Sequence, residues 1–178
     1  MIKISRESEI NLINILIDQD VISGKDLPNI KQISNDEEKS QLDAIFQLNL
    51  TDEEKILDLL VSEQSLSVID LSTVEISDEV KSILPSNYIN MNFIAPFKIE
   101  GNTLHIAIPD SSKLSLMRNL RTITKKEIEL HAAKVSHISD FIDKIIKEGG
   151  GDTTMKSSKA KNKEKIQTFD YEVDENAE

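Results

Sequence analysis

The chain has 178 residues, 38% of them hydrophobic, a net charge of −11 and no cysteine. That length holds one medium domain or two small ones. No apolar run exceeds four residues where a spanning helix needs about 20, and without cysteine neither a disulfide framework nor a thiolate metal site can form.

No stretch has the charged start, apolar middle and small-residue cleavage site of a secretory signal, so a cytoplasmic protein is expected. The first 63 residues carry 14 acids against 6 bases. Such a surface repels nucleic-acid phosphates and anionic lipid heads. Neither free nucleic acid nor direct membrane insertion is expected, and a basic patch on another protein suits this region better.

The first third reads as helices. Ile10, Ile13, Leu16 and Ile17 make an apolar stripe at helical spacing. Asp20 to Gly24 breaks it, with Ser23 a candidate N-cap for a second helix that takes Pro28 in its first turn. Leu42, Ile45 and Phe46 mark a third helix. Thr51-Asp52-Glu53-Glu54 has the form of a capping box, and Ile56, Leu59 and Leu60 give the fourth helix its apolar face. None is long enough to stand alone in water.

The period then changes. Leu66 to Leu71 reads as a short strand, and Asp78 to Leu84 as a helix stopped near Pro85. Phe93 to Ile99 reads as a strand that Pro96 confines to an edge or a bulge. Glu100-Gly101-Asn102 supplies a hairpin turn, and Leu104, Ile106 and Ile108 alternate as a half-buried strand. A helix carrying Leu114, Met117, Leu120 and Ile123 follows, then a strand with Ile128, Leu130 and Ala132. Ser136 is the expected cap of a last helix whose Ile138, Phe141, Ile142, Ile145 and Ile146 form the clearest amphipathic face in the chain. Gly149-Gly150-Gly151 stops it. The segment beyond is poor in apolar residues and rich in charge, so a disordered tail is expected.

The expected fold class is α+β. Residues 1–65 form a helical subdomain of about four short helices. Residues 66–149 form a small α+β subdomain with a three- to four-stranded sheet, and 150–178 form the tail.

The stretch from Ile56 to Lys147 resembles the N-terminal, MshEN-type domain of the GspE/PulE/PilB ATPases, the motors of bacterial type II secretion and type IV pilus assembly. The residues that carry the resemblance are Val68 to Leu71, Leu84-Pro85, the hairpin Asn102-Thr103-Leu104-His105-Ile106-Ala107-Ile108-Pro109-Asp110, Leu120 with Thr124, and Ser136-His137-Ile138. The resemblance implies a non-catalytic adaptor that works by protein–protein contact with an inner-membrane platform protein or a motor ATPase, peripheral to the inner membrane through that partner. No cofactor is implied. A nucleoside-triphosphate site needs G-x-x-x-x-G-K-[ST], and after the glycine run Met155 stands where the second glycine belongs. The initial Met and the tail favour a stand-alone adaptor over a fragment of a longer motor.

The nucleotide-binding version of this family carries two helical repeats, each with an R-L-G start, a second Gly and a closing Gln. Here Asn11-Leu12-Ile13 stands for the first R-L-G, Asp20 for the second Gly and Ser34 for the Gln. Gln41-Leu42-Asp43 stands for the second R-L-G, and Leu48 falls at its later Gly. The apolar framework is kept while Asn11, Ile13, Asp20, Gln41 and Asp43 replace the ligand-gripping residues, with acids where a dianionic ligand would lie. Tight binding of cyclic di-GMP is therefore not expected. A degenerate sensor of cyclic di-GMP or another nucleotide is the alternative.

Other candidates read as surface chemistry. Glu37-Glu38 and Glu53-Glu54 suit helix N-termini better than acid/base catalysis. His131 is expected to be exposed, His137 sits in a helix's first turn, and a metal or catalytic trio would require both to converge with His105. Arg118, Arg121, Lys125 and Lys126, with Lys113, form a basic cluster that either balances local acids or contacts an acidic partner surface.

Overall fold

A computed structural model of the chain describes residues 1–148, so the expected tail lies outside the described residues. Four helices come first: α1 (Arg6–Asp18), α2 (Leu27–Asp36), α3 (Gln41–Gln47) and α4 (Glu53–Gln64). There follow β1 (Ser67–Val68), α5 (Asp78–Ile83), α6 (Ser86–Asn92), β2 (Ala95–Glu100), β3 (Thr103–Ile108), α7 (Met117–Thr124), β4 (Glu127–Ala132) and α8 (Val135–Glu148). The class is α+β, as the sequence leads one to expect.

Three of the four early helices, α1, α3 and α4, are started by a side-chain cap. The Ser5 hydroxyl accepts from the Ser8 amide, and the Ser40 hydroxyl from that of Asp43. Ser23 caps a 3-10 turn rather than α2 itself. Asp26 reaches back to the Ser23 amide at 2.9 Å, and the turn runs into α2 with Pro28 at its start. Two expectations shift by a residue or two. The buried stripe of α1 is Leu12, Ile13 and Leu16, and Ile10 is 50% exposed. At α4 the cap is Asp52, whose carboxylate accepts from the Lys55 amide at 2.9 Å, not Thr51.

That shift leaves Glu53 and Glu54 to work across the chain. Glu53 accepts from both the amide and the hydroxyl of Ser136, each at 2.7 Å, and Glu54 pairs with Lys134. The expected Ser136 cap is thus replaced: α8 begins at Val135, and its free N-terminal donors are met by a carboxylate from α4. Glu53→Ala is expected to cost about 1–2 kcal/mol in denaturant unfolding, the range of a lost N-cap. Glu54→Ala, at an exposed pair, is expected to stay within about 0.5 kcal/mol. Equal losses in the two variants would contradict this assignment.

The sheet has the order β1-β4-β3-β2, with β1 and β3 both parallel to β4 and β2 antiparallel to β3. β1 is only two residues long, because the Asp70 carboxylate takes the Ser72 amide and turns the chain into a 3-10 segment. β2 starts later than the expected Phe93. Phe93 has φ +51° and closes α6, a helix the apolar pattern does not announce, and that left-handed backbone cannot extend. β2 is the expected edge strand, and its register slips between Pro96 and Lys98. Gly101, at φ +60°, makes the hairpin turn. β3 is not half-buried as its alternation suggests: Leu104 to Ile108 are buried throughout, His105 included. It is a central strand covered on both faces.

One buried cluster runs from Leu12 of α1 through Ile45, Ile89, Leu104, Ile106 and Ile128 to Ile145 of α8. The N-terminal segment is stitched across it. The Ile2 amide donates to Asp43 at 2.9 Å, and the Lys3 amide to the Ser139 hydroxyl of α8 at 3.2 Å.

Candidate functional site

The two R-L-G-like segments lie on α1 and at the start of α3, and their side chains divide into two groups. Ile13 and Gln41 line one cleft of about 500 Å³, together with Arg6, Glu9, Ile10, Asn14, Ile17, Leu27 and Lys31. Arg6 and Lys31 bring positive charge to its wall, and Ile10 gives it an exposed apolar lip. Glu9 sits among them and accepts from the Leu42 amide at 3.4 Å. Burial pushes its carboxyl above the usual range, against the pull of the α3 amides.

Asn11 and Asp43 turn elsewhere. Asn11 donates to Asp110 at 2.9 Å and to Ser111 at 3.3 Å. Asp43 accepts from the Ser40 hydroxyl at 2.8 Å as well as from the Ile2 amide. Both side chains are engaged in holding the fold. Asp20 lies exposed beyond the end of α1 with φ +55°, the backbone conformation a glycine takes most easily. In the second repeat the left-handed residue is Asn49 (φ +55°), one position beyond Leu48.

Asp110, at the end of the hairpin motif, is fully buried. Besides Asn11 it accepts from the Ser112 hydroxyl at 2.8 Å. Burial raises its carboxyl above the ordinary value, the hydrogen bonds from Ser112 and Asn11 and the Lys113 charge opposing. Lys113 is 2% exposed and approaches Glu7 at 3.5 Å, so it does not belong to the surface basic cluster in which its sequence position places it. Arg118, Arg121 and Lys125 do stand on an exposed face of α7 and its end, with Lys126 half-buried; Arg121 faces Glu127 at 3.5 Å.

Of the histidines, His105 and His131 converge while His137 lies apart, 3.5 Å from Asp70. His131 is not exposed as expected. Phe97, from the bulged edge strand, packs edge-on against its ring at 5.2 Å between centroids. Among the described helices none is long and apolar enough to cross a membrane.

The MshEN domain family matches residues 64–152, half of the chain. No curated protein matches. Among solved structures the fold is similar to that of MshE with cdg (TM-score 0.51, 22% identity, covering 75% of this chain and 97% of that one). It is similar also to the N-terminal domain of XpsE (TM-score 0.53, 19% identity, 80% and 97%). These overlaps are longer than the family match, so the likeness of fold extends beyond it into the other residues. That MshE structure holds cdg, whereas tight binding of cyclic di-GMP is not expected here from the sequence.

Proposed function

The chain belongs to the MshEN family, the N-terminal domain type of GspE/PilB-type secretion and pilus ATPases, and from that membership we propose that it is a non-catalytic, cytoplasmic adaptor acting by contact with the platform protein or motor of such a machine. The observation that carries this reading is where Asn11 and Asp43 point. The side chains at two ligand-gripping positions are spent on intramolecular bonds to Asp110, Ser40 and Ile2. What α1 to α4 then offer is an acidic surface, suited to a basic face on a protein. The edge of β2 is poorly suited to strand addition, since Pro96, the bulge and the charges of Lys98 and Glu100 interrupt it. The test is a pull-down with the immobilised full chain. Recovery of an identified platform or motor component, weakened by salt, is the expected result; recovery of neither counts against the adaptor.

A second reading is favoured by the solved MshE complex and by the cleft itself: a sensor that takes cyclic di-GMP between α1, α2 and the start of α3. Arg6 and Lys31 would face its phosphates. Calorimetric titration decides it. This reading expects saturable heat at low micromolar ligand, reduced at least tenfold in Arg6→Ala and in Lys31→Ala. A titration without saturable heat removes it.

A further inference from the structure

We propose that His105, His131 and Glu129 form a binding site for a borderline divalent transition metal, zinc(II) above all, on the face of the sheet capped by Phe97. His105 Nδ1 lies 3.0 Å from His131 Nε2. Glu129 Oε2 lies 3.8 Å from the first nitrogen, and Glu129 Oε1 lies 3.7 Å from the second. One ligand atom from each residue falls within a 4.8 Å group. Tetrahedral zinc bound at about 2.0–2.1 Å places neighbouring ligand atoms about 3.4 Å apart, between these separations. An ion therefore fits with shifts of a few tenths of an ångström.

The register builds this arrangement. In the parallel β3–β4 pair His105 stands opposite Glu129, and His131, two residues further on, shares Glu129's face. All three ligands rise from strands rather than loops, which fixes their spacing. The two rings are mostly covered while Glu129 is exposed, so the ion would keep one side open to solvent.

Two further contacts suit ligation. His105 must bind through Nδ1, which leaves its proton on Nε2; the Glu100 carboxylate waits 3.5 Å from that nitrogen. A carboxylate behind a ligating imidazole fixes the tautomer and strengthens the ligand. Phe97 packs against both rings, at 6.0 Å and 5.2 Å between centroids, and limits their rotation. Without metal, the 3.0 Å contact between nitrogens is a hydrogen bond from one ring to the other's lone pair. Metal takes both lone pairs, and the displaced proton moves to the far nitrogen of the same ring, so neutral imidazoles bind without net proton release. Two imidazoles and one carboxylate select zinc, cobalt(II), nickel(II) or copper(II) over magnesium and calcium, which prefer all-oxygen sites.

The site stands independently of the adaptor and sensor readings. Its test is calorimetry of the full chain with zinc chloride, together with the visible spectrum on cobalt(II) addition. The expected result is one zinc per chain and the absorption of low-coordinate cobalt. Affinity should fall at least tenfold in Glu129→Gln, an exposed position that leaves folding intact, and further in His131→Gln. It should be unchanged in His137→Gln. Circular dichroism of each variant separates loss of site from loss of fold. No stoichiometric binding by the wild type, or equal affinity in wild type and Glu129→Gln, overturns the proposal.

Discussion

Ile45→Ala is expected to lower the unfolding free energy by about 3–4 kcal/mol and to loosen the sheet as much as the helices. Ile45 is fully buried on α3, so truncation loses its transfer free energy and leaves a cavity whose walls collapse only in part. The cluster that contains it continues without a break through Leu104 and Ile106 of β3 to Ile145 of α8. Asn11 to Asp110, Lys3 to Ser139 and Glu53 to Ser136 tie the same parts together through polar contacts. A structure so joined should open as one unit, although the sequence suggests separate subdomains at 1–65 and 66–149. Hydrogen exchange checks this. In the variant, β3 amides should lose protection by the same free energy as those of α1 and α3. If β3 keeps its wild-type protection while α1 to α3 lose theirs, the two parts are separate cooperative units.

What the sequence announces is what short-range pattern can carry. The stripe Ile138, Phe141, Ile142, Ile145 defines α8 because its face repeats over about two turns. Pro96 and Gly101 place the edge strand and its turn because each restricts the backbone where it stands. α6 escapes, since Asn87, Asn90 and Asn92 are weak helix formers and burial of Ile89 and Phe93 in the tertiary core decides the matter. The Thr51 expectation fails because two local rules compete: the capping-box spacing to Glu54 favours Thr51, while Asp52, one residue on, is the better N-cap acceptor and takes the position.

The candidate sites were legible only as inventories of residues. Alternation does put His131 on the side of β4 away from Leu130, but its burial depends on Phe97 arriving from a bulge two strands away. Its pairing with His105 depends on a parallel register that no local pattern encodes. Lys113 looks like a surface cation beside Arg118 in sequence; the 3-10 segment Ser111–Leu116 turns it inward toward Glu7. The acids of Glu53-Glu54 look like helix N-terminal charges, and their long-range work on Ser136 and Lys134 appears only once α8 is docked. The motif positions behave the same way. Gln41 and Ile13 are brought to one cleft, while Asn11 and Asp43 are drawn to partners 99 and 41 residues distant.

Asp110→Ala is expected to cost about 3 kcal/mol, and Asp110→Asn to stay within about 1 kcal/mol of the wild type at neutral pH, because the two changes remove different things. Alanine leaves the Asn11 amide and the Ser112 hydroxyl without their shared acceptor at a position where water has no access. Asparagine keeps an accepting oxygen there and removes a charge whose burial is unfavourable, while its amide nitrogen takes the place of the carboxylate oxygen that has no partner in the wild type. The same charge makes the difference between wild type and Asp110→Asn depend on pH. Burial raises the folded carboxyl above its ordinary value of 3.8, so the native state holds this proton more tightly than the unfolded chain does. The stabilisation from that proton is complete below the unfolded value and is lost as pH rises through the folded one. Wild type should therefore lose stability relative to Asp110→Asn from about pH 4 upward, until the carboxyl is ionised in both states. Denaturant unfolding of the pair across that range measures the difference directly and cancels the titration of every other group. A difference that is flat with pH, or one in which the wild type gains as pH rises, would mean that Lys113 and the hydrogen bonds outweigh desolvation. Asp110 would then be a net stabilising anion, and its removal by asparagine would approach the cost of alanine.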